Sequence, residues 1–154
     1  MIVTGIYGGL RLRNNMKMKQ IPINEAQAMA AIIGYYEILG AYVERRNTGM
    51  AFYPDKNRRG GLRPVKYGTV GASDLFILFE GKPIFTEVKS PKEHEYLIKH
   101  GTRIAAYKDM KKKDFHLLDQ IQYLERVKQA GAIAFFASSI EDVEKQLRTY
   151  ELIK

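Results

Sequence analysis

The chain has no cysteine, no tryptophan and only three histidines in 154 residues. Without cysteine there is no disulfide, no thiolate zinc site and no cysteine nucleophile. His94, His100 and His116 are too scattered to make a histidine-rich metal site. A bound metal would therefore sit mainly among oxygen ligands, the preference of Mg²⁺ and Mn²⁺ rather than of zinc. Long apolar runs are missing too, and nothing approaches the roughly 20 residues that cross a bilayer. The N-terminus lacks a signal-peptide pattern. These absences predict an intracellular, cytoplasmic protein with no membrane partner. Internal repeats and low-complexity tracts are also lacking, and the composition is ordinarily globular, 45% hydrophobic and 27% charged.

What the chain has in excess is positive charge, a formal +8 at pH 7. The cations bunch at Arg11–Lys19, at Arg45 and Arg46, at Lys56, Arg58, Arg59 and Arg63, and at Lys111, Lys112 and Lys113. Tyr53, Tyr67 and Tyr107 lie among them. Any single run is explained by a solvated face. Several runs interleaved with aromatic rings fit contact with a phosphate backbone better than an evenly charged surface does. A nucleic-acid partner is expected, with these cations from Arg45 onward as its contacts.

Length predicts one domain over residues 21–154 behind a basic N-terminal extension at 1–20. Asn24, with Gln27 three residues on, predicts a capped helix from Glu25 to Leu39 that ends at Gly40. Ala41–Asn47 predicts a strand, and the stretch from there to about Val70, rich in glycine, proline and cations, predicts a loop. Two apolar runs broken at Glu80-Gly81-Lys82-Pro83 predict a β-hairpin ending at Lys89. Ser90–His116 reads as a polar connector with short helices over Glu93–His100 and Ile104–Met110. A helix capped by Asp114 or His116 runs to Gln129, Ala132–Ala137 forms a buried strand, and Ser139 with Asp142 caps a last helix. The sum is a single-domain α/β fold with a mixed sheet flanked by helices.

The hairpin carries the chemistry. Asp74 opens its first strand, while Glu87 and Lys89, two apart on the second, share a face. Antiparallel pairing brings Asp74 to that pair. On the first helix, Glu25 falls on the stripe defined by Met29, Ile32, Tyr36 and Leu39, where a carboxylate needs a partner. Gln120 lies at the edge of the apolar face of its helix.

Glu25, Gly71-x-x-Asp74, Glu87-Val88-Lys89 and Gln120, in that order, resemble the PD-(D/E)xK nuclease superfamily. The nearest likeness is to its VRR-NUC group and to archaeal-type Holliday junction resolvases. Val43–Gly49 resembles their Arg-x-x-(Ser/Thr)-Gly segment, and Gly131-Ala132 with Ser138, Ser139 and Asp142 resembles the end of a VRR-NUC domain. The resemblance covers about residues 24–145. Ser73 departs from the proline usual before the aspartate, and the connector after Lys89 is longer than the VRR-NUC pattern.

The resemblance implies a restriction-endonuclease-like fold and a Mg²⁺-dependent, structure-selective DNA endonuclease, with Mn²⁺ able to substitute. Glu25, Asp74, Glu87 and the Val88 carbonyl would hold the metal. Lys89 would orient or activate water, and Gln120 would position Lys89 or a phosphate. The expected substrate is a four-way junction, resolved by a homodimer in DNA recombination and repair. Alternatives are a less selective replication, repair or phage nuclease acting on flaps or in a restriction-like way, and a non-catalytic nucleic-acid-binding module.

Overall fold

The computed structural model describes residues 22–46, 49–57 and 59–154. The extension at 1–20, Asn47-Thr48 of the resolvase-like segment and Arg58 lie outside the described residues. Helix α1 spans Glu25–Ile38, and both bonds of the capping box between Asn24 and Gln27 form. Its inner face buries Ala28, Met29, Ile32 and Tyr36. Ile32 and Tyr36 are wholly enclosed, and burial of a side chain that size contributes about 1.5–3 kcal/mol. Gly40, at φ +77°, turns the chain out of the helix.

Strand β1 is short, Tyr42–Arg45. The segment expected to be a loop is instead an antiparallel ribbon of β2 (Gly49–Pro54) and β3 (Leu62–Tyr67). It escapes a periodicity search because ten of its twelve strand residues are exposed, so apolar and polar positions do not alternate. The expected hairpin is formed by β4 (Leu75–Phe79) and β5 (Lys82–Val88). Its turn residues, Glu80 at φ +48° and Gly81 at φ +69°, both take the left-handed region that a two-residue hairpin turn needs.

The connector holds one helix rather than two, α2 over Pro91–Ala105, capped by Ser90 with Pro91 at its first turn. Helix α3 spans Asp114–Gln129, but Asp114 is not its cap. The Asp114 side chain is enclosed, accepting from the Lys111 N–H at 2.9 Å, the Tyr96 hydroxyl at 3.0 Å and Arg103 Nη2 at 3.1 Å. It fastens α3 to α2. Strand β6 (Ile133–Ala137) and helix α4 (Ile140–Thr149), capped by Ser139, complete the chain.

The main sheet has the order β1-β4-β5-β6, antiparallel except for β5 and β6, which run parallel. A parallel pair needs a crossover, and α2 with α3 supplies it. Alternation along β5 divides the molecule into layers. Ile84 and Val88 face the core under α1 and α4, where the Tyr36 hydroxyl meets Thr86 Oγ1 at 3.1 Å. Phe85 faces the other way, toward Tyr123 of α3, and so does Glu87. The fold is a single α/β domain with a mixed sheet flanked by helices. Among the described residues no helix is long and apolar enough to cross a membrane.

Candidate active site

Asp74 lies one step before β4, and because Leu75 pairs with Thr86 it falls opposite Glu87. Side chains complete the ladder at this point. Glu87 Oε2 accepts from the Asp74 N–H at 3.1 Å, and Asp74 Oδ2 accepts from the Val88 N–H at 2.9 Å. Each carboxylate is thus fixed by the other's strand. The far oxygen, Glu87 Oε1, accepts from Lys89 Nζ at 2.8 Å and from Gln120 Nε2. Glu87, Lys89 and Gln120 are all buried, at 2%, 6% and 5% exposure. The face-sharing expected of Glu87 and Lys89 is realised, and Gln120 reaches them from α3.

Gly71 explains how the strand and α3 come so close. Its φ is +74°, and a Cβ there would stand 2.4 Å from the Asp119 carbonyl oxygen. Only glycine lets the chain pass the α3 backbone at the level of Gln120. The Asp74 carbonyl is pinned in turn by the Arg46 N–H at 2.7 Å. Ser73, at the position of the usual proline, is buried with its hydroxyl on the Leu75 carbonyl at 3.2 Å. It holds the turn by a hydrogen bond where proline would restrict φ.

Burial drives the electrostatics. Loss of water around Glu87 pushes its carboxyl up to about 7; the Lys89 ammonium pulls it back and the Asp74 carboxylate pushes it further. The group therefore changes charge close to neutrality. Glu25 stands at the rim, exposed rather than aimed into the core. Partial burial raises its carboxyl above the usual range, with Lys89 acting downward and Asp74 and Glu93 upward. Those influences place Glu25 within electrostatic reach of Asp74 and Lys89. Glu93, absent from the residues singled out in the sequence, brings a second negative charge beside Glu25 and accepts from Ser90 Oγ at 3.0 Å. The Ser90-Pro91-x-Glu93 capping pattern was the available signal.

Comparison with family models, with curated proteins and with solved structures returns no match to this chain. The site stands on its own geometry.

A hard, oxygen-preferring cation is the group that the donors suit, since the strands present carboxylates and backbone carbonyls and α3 presents an amide. Gln120 Oε1 is buried with no hydrogen-bond partner among the described residues, as an acceptor awaiting a coordinated water or another donor would be. Against this, among the described residues no three His, Cys, Asp or Glu side chains stand close enough together to hold an ion as they are. The ammonium of Lys89 occupies Glu87 Oε1, and Glu25 stands off at the rim. Binding requires the exposed Glu25 to swing inward or the buried Glu87–Lys89 pair to open.

The candidate phosphate contacts divide into two kinds. Arg46 is half-buried, its guanidinium donating to the Tyr123 hydroxyl at 2.5 Å and lying 5.8 Å from the centre of the Phe85 ring. It packs into the wall of the site between these two rings. Arg45 is exposed, as are Lys56, Arg59 and Arg63 on the ribbon and Lys111, Lys112 and Lys113 before α3. Lys113 Nζ rests 3.6 Å over the ring of Tyr96. Both border a cleft of about 750 Å³ that opens beside Lys89 and is lined also by Lys92, Lys99 and His116. Lys89 is the residue of the buried set that lines it, and Glu93 and Glu95 line it as well. Ser138, Ser139 and Asp142 serve the fold instead: Asp142 Oδ2 accepts from the Ser138 N–H at 2.8 Å, and Ser139 caps α4.

Proposed function

We propose that the chain is a metal-dependent nuclease with a restriction-endonuclease-like fold of the PD-(D/E)xK type, resembling VRR-NUC and junction-resolving enzymes. The observation that carries this reading is the buried set of Glu87, Lys89 and Gln120 joined to Asp74 across two strands, beside a lysine-lined cleft. A buried carboxylate and lysine joined to a second, half-buried carboxylate, with the lysine lining a cleft rich in further lysines, match the needs of phosphodiester hydrolysis.

Asp74 and Glu87, with Glu25 and the Val88 carbonyl, would hold Mg²⁺ or Mn²⁺. The ion would supply an acidified water and charge neutralisation at the phosphate. The chain's own residues do the rest. Lys89, which donates to Glu87 Oε1 at 2.8 Å, would place its ammonium against the phosphate or the attacking water. Gln120 keeps Lys89 and Glu87 in register, and its free Oε1 accepts a proton-bearing partner. The cleft lysines draw the backbone in, and Phe85 with Tyr123 screens the back of the site from water. DNA with a branch, a four-way junction above all, cut by a homodimer in symmetric pairs, is the proposed substrate. An intracellular setting follows from such a substrate.

A second reading, a nucleic-acid-binding module without catalysis, draws on the absence of a ready-made triple carboxylate among the described residues. Incubation with junction, flap, nicked and linear DNA in Mg²⁺ separates the two. Paired nicks confined to the junction support a resolvase, flap cleavage supports a repair nuclease, and binding without cleavage supports the module.

A further inference from the structure

The β2–β3 ribbon has a face that nothing so far explains. Its register pairs Met50 with Lys66, Phe52 with Pro64 and Pro54 with Leu62, so these six side chains share one side. All six are exposed, Phe52 and Leu62 at 62%. Among the described residues the ribbon's extensive contacts are between its own two strands. A free two-stranded hairpin is marginal in water, and an uncovered apolar patch marks an interaction surface.

Charge narrows the partner. Lys56, Arg59, Arg63 and Lys66 ride on this ribbon against a single acid, Asp55. Two copies packed ribbon to ribbon would bring those cations together, whereas a polyanion neutralises them. Position narrows it further. The strand before the ribbon is tied to the site by the Arg46 N–H on the Asp74 carbonyl, and the turn after it runs to Gly71 against α3. The ribbon therefore springs from the rim of the carboxylate site.

We propose that the β2–β3 ribbon reads unpaired bases of a nucleic acid, with Met50, Phe52 and Leu62 stacking on them while the flanking cations hold the backbone. This rests on the nuclease reading for its substrate class and adds the device by which a branch is told from a plain duplex. Bases in an intact duplex are stacked on one another and offer no face. Bases at a branch or in a single strand do, and apolar side chains at such steps act as wedges or platforms. Pairing in the duplex creates the selectivity, because opening it opposes the wedge.

The chain's lack of tryptophan makes the test direct. Phe52→Trp introduces the sole indole, read by fluorescence in the presence of a chelator with three probes: a four-way DNA junction, a single strand and a paired duplex of equal length. Quenching by junction and single strand with little response to duplex is expected. Phe52→Ala should weaken junction binding about tenfold and leave duplex binding and the thermal midpoint unchanged. Equal quenching by duplex, or none by any probe that binds, overturns the proposal. So does loss of a dimer in Phe52→Ala on sedimentation, since the face would then belong to a second copy. A fall of several degrees in its thermal midpoint overturns it as well, because the face would then pack inward. Junction cleavage without an indole response removes the ribbon's role and keeps the nuclease. Selective quenching without cleavage under any divalent metal does the reverse.

Discussion

Asp74 and Glu87 hold each other in place across the β4–β5 hairpin. The Asp74 N–H donates to Glu87 Oε2 at 3.1 Å, and Asp74 Oδ2 accepts from the N–H of Val88, the residue after Glu87. A pair of carboxylates would normally repel. Here each is anchored by backbone donors, and Lys89 balances the buried one at 2.8 Å. Burying Glu87 and Lys89 together carries a desolvation cost that their ion pair offsets in part.

The charge state of Glu87 sets a pH dependence. Its carboxyl lies near 7 in the folded protein against an ordinary 4.5, so the folded state binds the proton more tightly than the unfolded chain does. The contribution is therefore fully present below about pH 4.5 and is lost as pH rises through about 7, a swing on the order of 3 kcal/mol at most. Thermal unfolding of metal-free protein between pH 4.5 and 8 should show this decline, and Glu87→Gln should flatten it. A wild-type midpoint that rises over that range, or a variant with the same slope, would contradict the assignment.

Gly71→Ala should be costly. The new Cβ would meet the Asp119 backbone at 2.4 Å with φ at +74°, a combination worth about 2–3 kcal/mol of destabilisation. Gly101→Ala, in α2 with nothing within 4 Å of its Cβ, should instead gain up to about 1 kcal/mol. Denaturant unfolding of the two variants compares them. Similar midpoints would mean that the strand does not pass α3 as closely as described.

Asp74 can be dissected by two replacements. Asn keeps an acceptor for the Val88 N–H and should leave stability within about 1 kcal/mol of wild type, whereas Ala strands that buried donor at a cost of about 1–3 kcal/mol. In calorimetric titration both should lose Mg²⁺ binding. Retention of Mg²⁺ affinity in Asp74→Asn would remove Asp74 from the ligand set.

The exposed cations should act through counterion release. Replacing Lys111, Lys112 and Lys113 by Gln should reduce the slope of log affinity for DNA against log salt, by close to one for each phosphate that is no longer neutralised. An unaltered slope would return the run to a solvated surface.

Legibility followed locality. Asn24 with Gln27, the Asp74–Lys89 hairpin and the Ala132–Ala137 strand depend on capping pairs and period-two patterns within a few residues, and all three form. The β2–β3 ribbon does not announce itself, because Phe52 and Tyr53 are both exposed and no inside face exists to set a period. Asp114 has the sequence setting of a cap, yet it is the buried hub of Tyr96 and Arg103, partners 18 and 11 residues away. Glu25 falls on the apolar stripe but emerges at its solvent end, since the stripe runs out before the first turn. Its neighbour Glu93 arrives from a different helix. Such approaches are set by the crossover, which local patterns do not encode.

Cleavage of a labelled four-way junction, with Mg²⁺ and with chelator, by wild type and by Asp74→Asn puts the carboxylate site to its sharpest test. The expected result is paired nicks by wild type with Mg²⁺ alone, no cleavage by Asp74→Asn, and junction binding by both proteins. Cleavage that persists in chelator or in Asp74→Asn, or no cleavage of any branched, nicked or linear DNA, would contradict the nuclease assignment.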